Sequence, residues 1–299
     1  MTSILTNNSA MSALQTLRNV NQNLADTQNH VSSGLRVGKA ADNAAYWSIA
    51  TTMKSDTKAL GAVSDALGMG AAKVDTAYTA VESSIDVVSE IKSKLVAATE
   101  DGVDKSKVQD EITQLQAQLK SISSSASFNG ENWVANSTGE TMSVVSSFVR
   151  SSSGSVSVTT SEYTAGATDL LYTDATAGTG GILGTAGASS GKSITEFTID
   201  SSTTKGGIDN LLSDVETALK DMTSLGSKFG SISSRIDMQS NFVSSLSDAI
   251  ESGVGRLVDA DMEEESSKLT ALQTQQQLAI QSLSIANSSS QNILSLFRG

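Results

Sequence analysis

The two ends of this chain are almost free of charge, and both show helical spacing. From Thr270 to Phe297 there is no charged residue, and the first 35 residues carry only Arg18, Asp26 and His30 as ionisable side chains. Helices that are neutral around most of their circumference are normally buried. Since nothing else in one chain can cover every face of two such helices, we expect them to pack against each other and against further copies of the chain.

The composition excludes several classes of function. Asp and Glu outnumber Lys and Arg by 32 to 20, which argues against nucleic acid and against an anionic membrane surface as partners. Glutamines and serines in the neutral C-terminal stretch argue against membrane insertion. There is no cysteine and His30 is the single histidine, so no nucleophile–base pair with either residue type can be assembled. We predict no enzyme activity, no cofactor and no metal site.

Apolar residues at both ends alternate four and three positions apart, as in a heptad seam. The N-terminal seam comprises Ala10, Leu14, Leu17, Asn21, Leu24, Gln28, Val31 and Leu35. The C-terminal seam comprises Leu269, Leu272, Gln276, Ala279, Leu283, Ala286, Ser290, Ile293 and Phe297. The polar members either lie on a solvated face or fix the register of a coiled coil, and the sequence leaves both interpretations open.

The segments between these ends predict long rods and a small β insertion. Helical spacing runs through residues 60–95 and, after a turn, through 108–126, which predicts an antiparallel pair; it returns over 208–257. Gly253 and Gly255 predict a break before the last helix. Residues 128–207 are rich in Ser, Thr, Gly and Ala. Alternation there predicts strands at 142–145, 156–159 and 194–199, and composition predicts disorder at 175–191.

The predicted fold class is therefore mainly α. Long antiparallel coiled-coil helical rods, with the N- and C-terminal helices paired, carry a small β-rich central insertion.

Several short motifs, in order along the chain, resemble those of bacterial flagellins. Near the N-terminus these are residues 10–14 (AMSAL), 31–37 (VSSGLRV), 40–45 (AADNAA) and 127–130 (SFNG). Near the C-terminus they are residues 230–236 (GSISSRI), 259–262 (DADM) and 291–296 (QNILSL). Tyr46-Trp47 and the segment 131–133 (ENW) resemble the alphaproteobacterial branch of that family. The resemblance covers residues 1–135 and 207–299 and leaves out the middle.

The resemblance implies a subunit of the flagellar filament, exported unfolded by the flagellar type III system and assembling into an extracellular helical tube that serves motility. It implies an inner D0 layer from residues 1–36 and 257–299, and a D1 rod from 37–135 and 207–256. Residues 136–206 would form a variable outer β-rich domain. The implied partners are the chain itself, sister flagellins, the filament cap, the hook–filament junction protein and an export chaperone.

Three sets of site residues follow from these interpretations. Subunit packing in D0 is assigned to Leu5, Met11, Leu14, Leu17, Leu24, Val31, Leu272, Leu283, Ile293 and Phe297. The spoke that leaves the first helix contains Arg36, Lys39 and Asp42, which form either a solvated loop or ion pairs between subunits; Trp47 and Trp133 are core or interface anchors.

The third set concerns an innate immune receptor of animals. In other flagellin branches this receptor reads the helix that holds Glu90 and Lys94, where those branches carry Arg and Leu. The two departures predict weak or no receptor activation.

Two other functions compete with the filament subunit. The hook–filament junction protein shares flagellin-like termini, although the match in the second and third helical segments is fuller for flagellin. A secreted coiled-coil adhesin or translocator would bind membranes or host cells without forming long filaments.

Overall fold

The computed structural model describes residues 7–174 and 176–296, with side chains described up to residue 288. The described chain forms two compact units. The terminal unit comprises residues 1–57 and 248–299, and the central unit comprises residues 58–247. Two long helices, α2 (Ala44–Ala97) and α5 (Lys205–Val258), contribute to both units.

The terminal unit is built on a pair of helices from opposite ends of the chain, α1 (Asn8–Ser33) and α6 (Met262–Leu296). The Asn7 side chain caps α1 by accepting from the Ala10 amide, and Gly34 ends it with φ of 71°, a left-handed conformation that suits glycine. Asp261 Oδ1 caps α6 by accepting from the Glu263 amide at 3.0 Å. The helix runs through Ser288 without interruption.

The two terminal helices run antiparallel. His30 lies against Glu265, Asn21 against Gln276, and the Asn7 side-chain amide donates to the Ala286 carbonyl, so residue numbers rise on one helix as they fall on the other. On α6 the buried and half-buried positions 269, 272, 276, 279, 283 and 286 are those of the predicted seam. The prediction for α6 is therefore confirmed over the residues whose side chains are described.

The seam on α1 differs from the prediction at alternate positions. Ala13, Val20 and Thr27 face α6, whereas the predicted Leu14, Asn21 and Gln28 are exposed. Neighbouring helical residues are about 100° apart, so a modest rotation of the helix exchanges one set for the other. The rotation places Ala13, Val20 and Thr27 in the seam and leaves Asn21 at its edge, where the Gln276 amide donates to it at 2.7 Å.

The central unit is a helical rod in which α3 (Lys105–Ser125) joins α2 and α5. Lys94 pairs with Glu111, and Lys73 pairs with Glu131 just beyond the end of α3, so α2 and α3 are antiparallel as predicted. Lys92 with Glu216 and Asp75 with Ser233 give α5 the same antiparallel relation to α2. Every predicted seam position of α2 between Leu60 and Leu95 is buried.

Two hairpins make up the β structure of the central unit. Strands β1 (Ser127–Phe128) and β2 (Glu131–Asn132) are joined by Asn129 and Gly130, both with positive φ, as a tight two-residue turn requires. Strands β3 (Thr141–Arg150) and β4 (Val156–Thr164) pair antiparallel, with a bulge between Val145 and Ser147. Trp133 is buried and stacks on Tyr163, which contacts Phe229.

Three local predictions were wrong. Residues 194–199 form no strand: their alternate side chains are buried, but the carbonyls of Ile194 and Phe197 accept from the Gln116 side chain instead of a neighbouring strand. The described part of 175–191 is folded into turns and a short helix, α4 (Gly181–Gly184), because Leu183 anchors it in the core.

The third wrong prediction concerns the glycines before the last helix. Gly253 and Gly255 lie inside α5, which continues to Val258. The main chain of Arg36 and Val37 donates to the Val258 carbonyl, and Ala260 donates to the Gly34 carbonyl. These bonds place the break at residues 259–261. The predicted fold class is confirmed.

Candidate assembly surfaces

The seam between α1 and α6 uses only one face of each helix. Leu272 is 7% exposed and buried in this seam, and Leu17, Leu24, Val31 and Leu283 are half-buried. Other large apolar side chains of both helices point to solvent: Met11, Leu14, Leu278, Ile280 and Ile285, with exposures from 38% to 69%. The terminal unit therefore presents apolar surface on helices that carry little charge.

The predicted packing residues thus divide into two groups. Leu17, Leu24, Val31, Leu272 and Leu283 lie toward the seam within the chain, whereas Met11 and Leu14 face outward. Leu5 and Phe297 lie outside the described residues. Ile293 belongs to α6, but its side chain is not among those described.

A partly buried polar contact in this seam was missed by sequence reasoning. His30 Nδ1 lies 3.2 Å from Glu265 Oε1, and Lys268 Nζ lies 3.7 Å from the same oxygen. Glu265 is 8% exposed. Its position four residues before Leu269 continues the seam spacing of α6 and was the signal that could have identified it.

The spoke from Leu35 to Asn43 connects α1 to α2. Val37 packs with Ala50, Val254 and Val258 in a small core of the terminal unit. Asp42 Oδ2 accepts from the amides of Gly38 and Lys39, both at 3.0 Å. The Lys39 amide foremost, assisted by the Gly38 amide, holds the pKa of Asp42 below its ordinary value. Asp42 therefore closes a loop of its own backbone.

Arg36 and Lys39 behave differently from Asp42. Arg36 donates from Nη2 to the Leu257 carbonyl at 3.2 Å, and both cationic side chains are exposed. Both contribute to the lining of a surface cavity of about 720 Å³, which we call the spoke pocket. Trp47, at the start of α2, is 39% exposed beside the exposed Tyr46 and Ile49.

On α2, Lys94 is held by two carboxylates. Its Nζ lies 2.7 Å from Glu111 and 3.4 Å from Glu90. Glu111 foremost, then Glu90, raises the pKa of Lys94 above its ordinary value. Glu90 and Lys94, which the resemblance predicts to differ from other flagellin branches, therefore form one local charge cluster with Glu111.

Within the described residues there is no cluster of His, Asp and Glu suited to a metal ion. In the same part of the chain, no helix combines the length and the hydropathy that a membrane span requires.

Comparison with known proteins agrees with this architecture. The family described as the bacterial flagellin N-terminal helical region matches residues 4–138, and the bacterial flagellin C-terminal helical region matches residues 212–297. Flagellin A of Rhizobium meliloti (strain 1021) is 50% identical, and Flagellin C of the same strain is 51% identical. The flagellin of Brucella melitensis biotype 1 is 47% identical, and each of these alignments covers 100% of both proteins. A crystal structure of Bacillus cereus flagellin matches with a TM-score of 0.41 and 15% identity, covering 58% of this chain and 86% of that one.

This chain belongs to the alphaproteobacterial branch of the bacterial flagellin family. It is a structural subunit of the flagellar filament, not an enzyme, and the junction protein is not favoured. The protein is located in the flagellum, an extracellular filament. The alignment with Flagellin A runs over 394 positions against 299 residues here, and neither family region matches residues 139–211.

Proposed function

We propose that the paired terminal helices are the element through which copies of this chain polymerise. The outward apolar side chains Met11, Leu14, Leu278, Ile280 and Ile285 would pack against the terminal helices of neighbouring copies. The observation that carries this proposal is their exposure, which reaches 69% for Ile285. Large apolar side chains left exposed on helices that carry little charge indicate surfaces for protein–protein contact.

The energetics favour burial between copies. Covering a large aliphatic side chain contributes about 1.5–3 kcal/mol, and each contact recurs in every subunit of a polymer. Helices with few charges lose little hydration on association. In this arrangement Leu17, Leu24, Val31, Leu272 and Leu283 hold the pair together within one chain. Leu5, Ile293 and Phe297 keep the assignment to subunit packing that their sequence spacing gives them.

The layers implied by the sequence are part of the same proposal. The paired termini (1–36 and 257–299) form the inner layer, the rod segments (37–135 and 207–256) surround it, and residues 136–206 face outward. The chain itself and sister flagellins are the first partners, and the resemblance to flagellins adds an export chaperone, the filament cap and the hook–filament junction protein as proposed partners.

The experiment tests whether the outward apolar side chains of α6 are needed for polymerisation. Purified monomer carrying Ile285→Ser or Leu278→Ser is added to short filament seeds, and growth is followed by light scattering and electron microscopy. We expect elongation to fall about tenfold or more, since 1.4 kcal/mol corresponds to a factor of ten. Gln281→Ser, also on an exposed position of α6, is the matched control. Normal growth of both apolar variants, with helix content unchanged in all three, would contradict the proposal.

A further inference from the structure

Two polar side-chain contacts join α1 to α6, and they hold opposite edges of α1. His30 Nδ1 lies 3.2 Å from Glu265 Oε1, and the Gln276 amide donates to Asn21 Oδ1 at 2.7 Å. Asn21 and His30 are separated by about two and a half helical turns. They therefore lie on opposite sides of α1, with the apolar seam between them.

The partners of these two side chains lie on one face of α6. Glu265 and Gln276 are separated by about three helical turns, and both belong to the buried and half-buried positions of the seam. One face of α6 is thus held by both edges of α1. Rotating α1 about its axis in either direction moves either Asn21 or His30 away from α6.

The contact with Glu265 is the more demanding of the two. Glu265 is 8% exposed, and its Oε2 is buried without a hydrogen-bond partner among the described residues. Lys268 approaches Oε1 at 3.7 Å, but it belongs to the same helix and stays beside Glu265 however α1 is turned. A buried charge that loses its partner is strongly destabilising. A rotation that removes His30 is therefore disfavoured.

The apolar residues alone do not decide the rotation of α1. At the level of Leu14 they favour the rotation predicted from the sequence, and at the level of Val20 they favour the observed one. In the predicted rotation Asn21 turns inward. His30, on the opposite side of α1, then points away from α6 and leaves Glu265 without it. Leu14 would at the same time leave the outer surface and enter the seam.

We propose that the contacts of His30 with Glu265 and of Asn21 with Gln276 form a rotation clamp, which sets the face that α1 turns toward α6. Polar groups in a coiled coil are known to select one packing over its alternatives, at some cost in stability. The clamp keeps Leu14 outward and so determines which apolar side chains are offered to neighbouring copies. This consequence rests on the proposed function, whereas the rotation itself is a property of the single chain.

The test uses disulfide formation, since the chain has no cysteine of its own. Ala13→Cys with Leu283→Cys reports the observed rotation, and Leu14→Cys with Leu283→Cys reports the predicted one. Residues 13 and 283 lie at the same level of the antiparallel pair. Dilute, unpolymerised full-length chain is oxidised, and electrophoresis separates internal cross-links from dimers. We expect the first pair to form about tenfold faster or more.

His30→Leu with Glu265→Leu removes one edge of the rotation clamp and keeps the seam apolar, so the helices can still pair. In this background the two cysteine pairs should form at rates within about threefold of each other. Asn29→Leu with Glu264→Leu changes exposed neighbours on the same two helices and should keep the original preference. So should His30→Asn, which retains a donor in place of Nδ1.

Equal rates for the two cysteine pairs in the otherwise unchanged chain overturn this inference, as does a preference that survives the double leucine substitution. Both results come from unpolymerised chain and leave the proposed function to the Ile285→Ser and Leu278→Ser variants. Without the cysteines, the double leucine variant should elongate seeds at least about twofold more slowly, because part of it holds Leu14 inside the seam. Elongation at the wild-type rate, despite a lost preference, overturns the link between the clamp and assembly.

Discussion

Gly70 on α2 allows the β3–β4 hairpin to approach the rod closely, and its substitution has opposing effects that the structure can weigh. A Cβ at this position would lie 2.1 Å from Val144 Cγ1 and 3.1 Å from Val144 Cβ. Val144 is buried, stiff at χ1 and paired with Ser161 in the hairpin. The clash cannot be relieved by rotating a flexible side chain, so the strand itself must move.

The sizes of two opposing effects decide whether Gly70→Ala stabilises or destabilises the central unit. Overpacking a core costs about 1–3 kcal/mol, and an overlap this deep belongs at the upper end. Replacing glycine by alanine inside a helix contributes about 1 kcal/mol in the opposite direction. We therefore expect Gly70→Ala to lower the free energy of unfolding of the central unit by about 2 kcal/mol, or its Tm by roughly 4–8 °C.

Gly68→Ala is the matched control, two residues away on the same helix. Nothing lies within 4 Å of a Cβ built there, so only the gain in helix propensity remains, about 1 kcal/mol or roughly 2–4 °C in Tm. Thermal unfolding of the monomer by circular dichroism measures both. A Tm for Gly70→Ala equal to or above that of Gly68→Ala would refute the reasoning. So would an unchanged penalty for Gly70→Ala in a Val144→Ala background.

Two further predictions concern charged groups. The amides of Lys39 and Gly38 lower the pKa of Asp42 in the folded chain. Their hydrogen bonds to the Asp42 carboxylate therefore stabilise the fold at pH values above the pKa of an unfolded Asp, about 3.9. This stabilisation is lost as the pH falls through the pKa of Asp42 in the folded chain. The difference in Tm between wild type and Asp42→Asn should therefore be largest near neutral pH and shrink below about pH 4; a difference independent of pH would contradict this. The Lys94 cluster with Glu90 and Glu111 predicts little response from cells that express the innate immune flagellin receptor. A strong dose-dependent response to endotoxin-free protein would refute that expectation, and Glu90→Arg with Lys94→Leu is the variant expected to raise the signal.

The long rods could be predicted from the sequence because their apolar spacing persists over many turns. The α2 positions from Leu60 to Leu95 repeat often enough that no other periodicity fits, and all are buried. The shorter signals were ambiguous. Residues 194–199 alternate because alternate side chains enter the core, and alternation alone does not show whether a neighbouring strand exists.

The terminal helices show a second limit of single-sequence reasoning. The spacing placed Leu14 in the α1 seam, whereas the structure has Ala13 there, since the choice depends on how closely α6 approaches. The contact of His30 with Glu265 was missed because it joins residues 235 positions apart. Gly253 and Gly255 suggested a break, but α5 tolerates them, and the Gly34–Ala260 backbone contact fixes the end of the helix.

The hydrogen bond from Asn7 to Ala286 spans 279 residues of sequence, and this separation has a consequence for timing. When a chain is threaded through a narrow channel from either end, α1 and α6 are the first and the last helices to emerge. The pair of α1 and α6 can form only after passage is complete. A truncated or stalled chain would expose a lone helix with no counterpart. If the helix pair is the polymerising element, as proposed above, such a chain would be excluded from the growing tip without any separate inspection of its length.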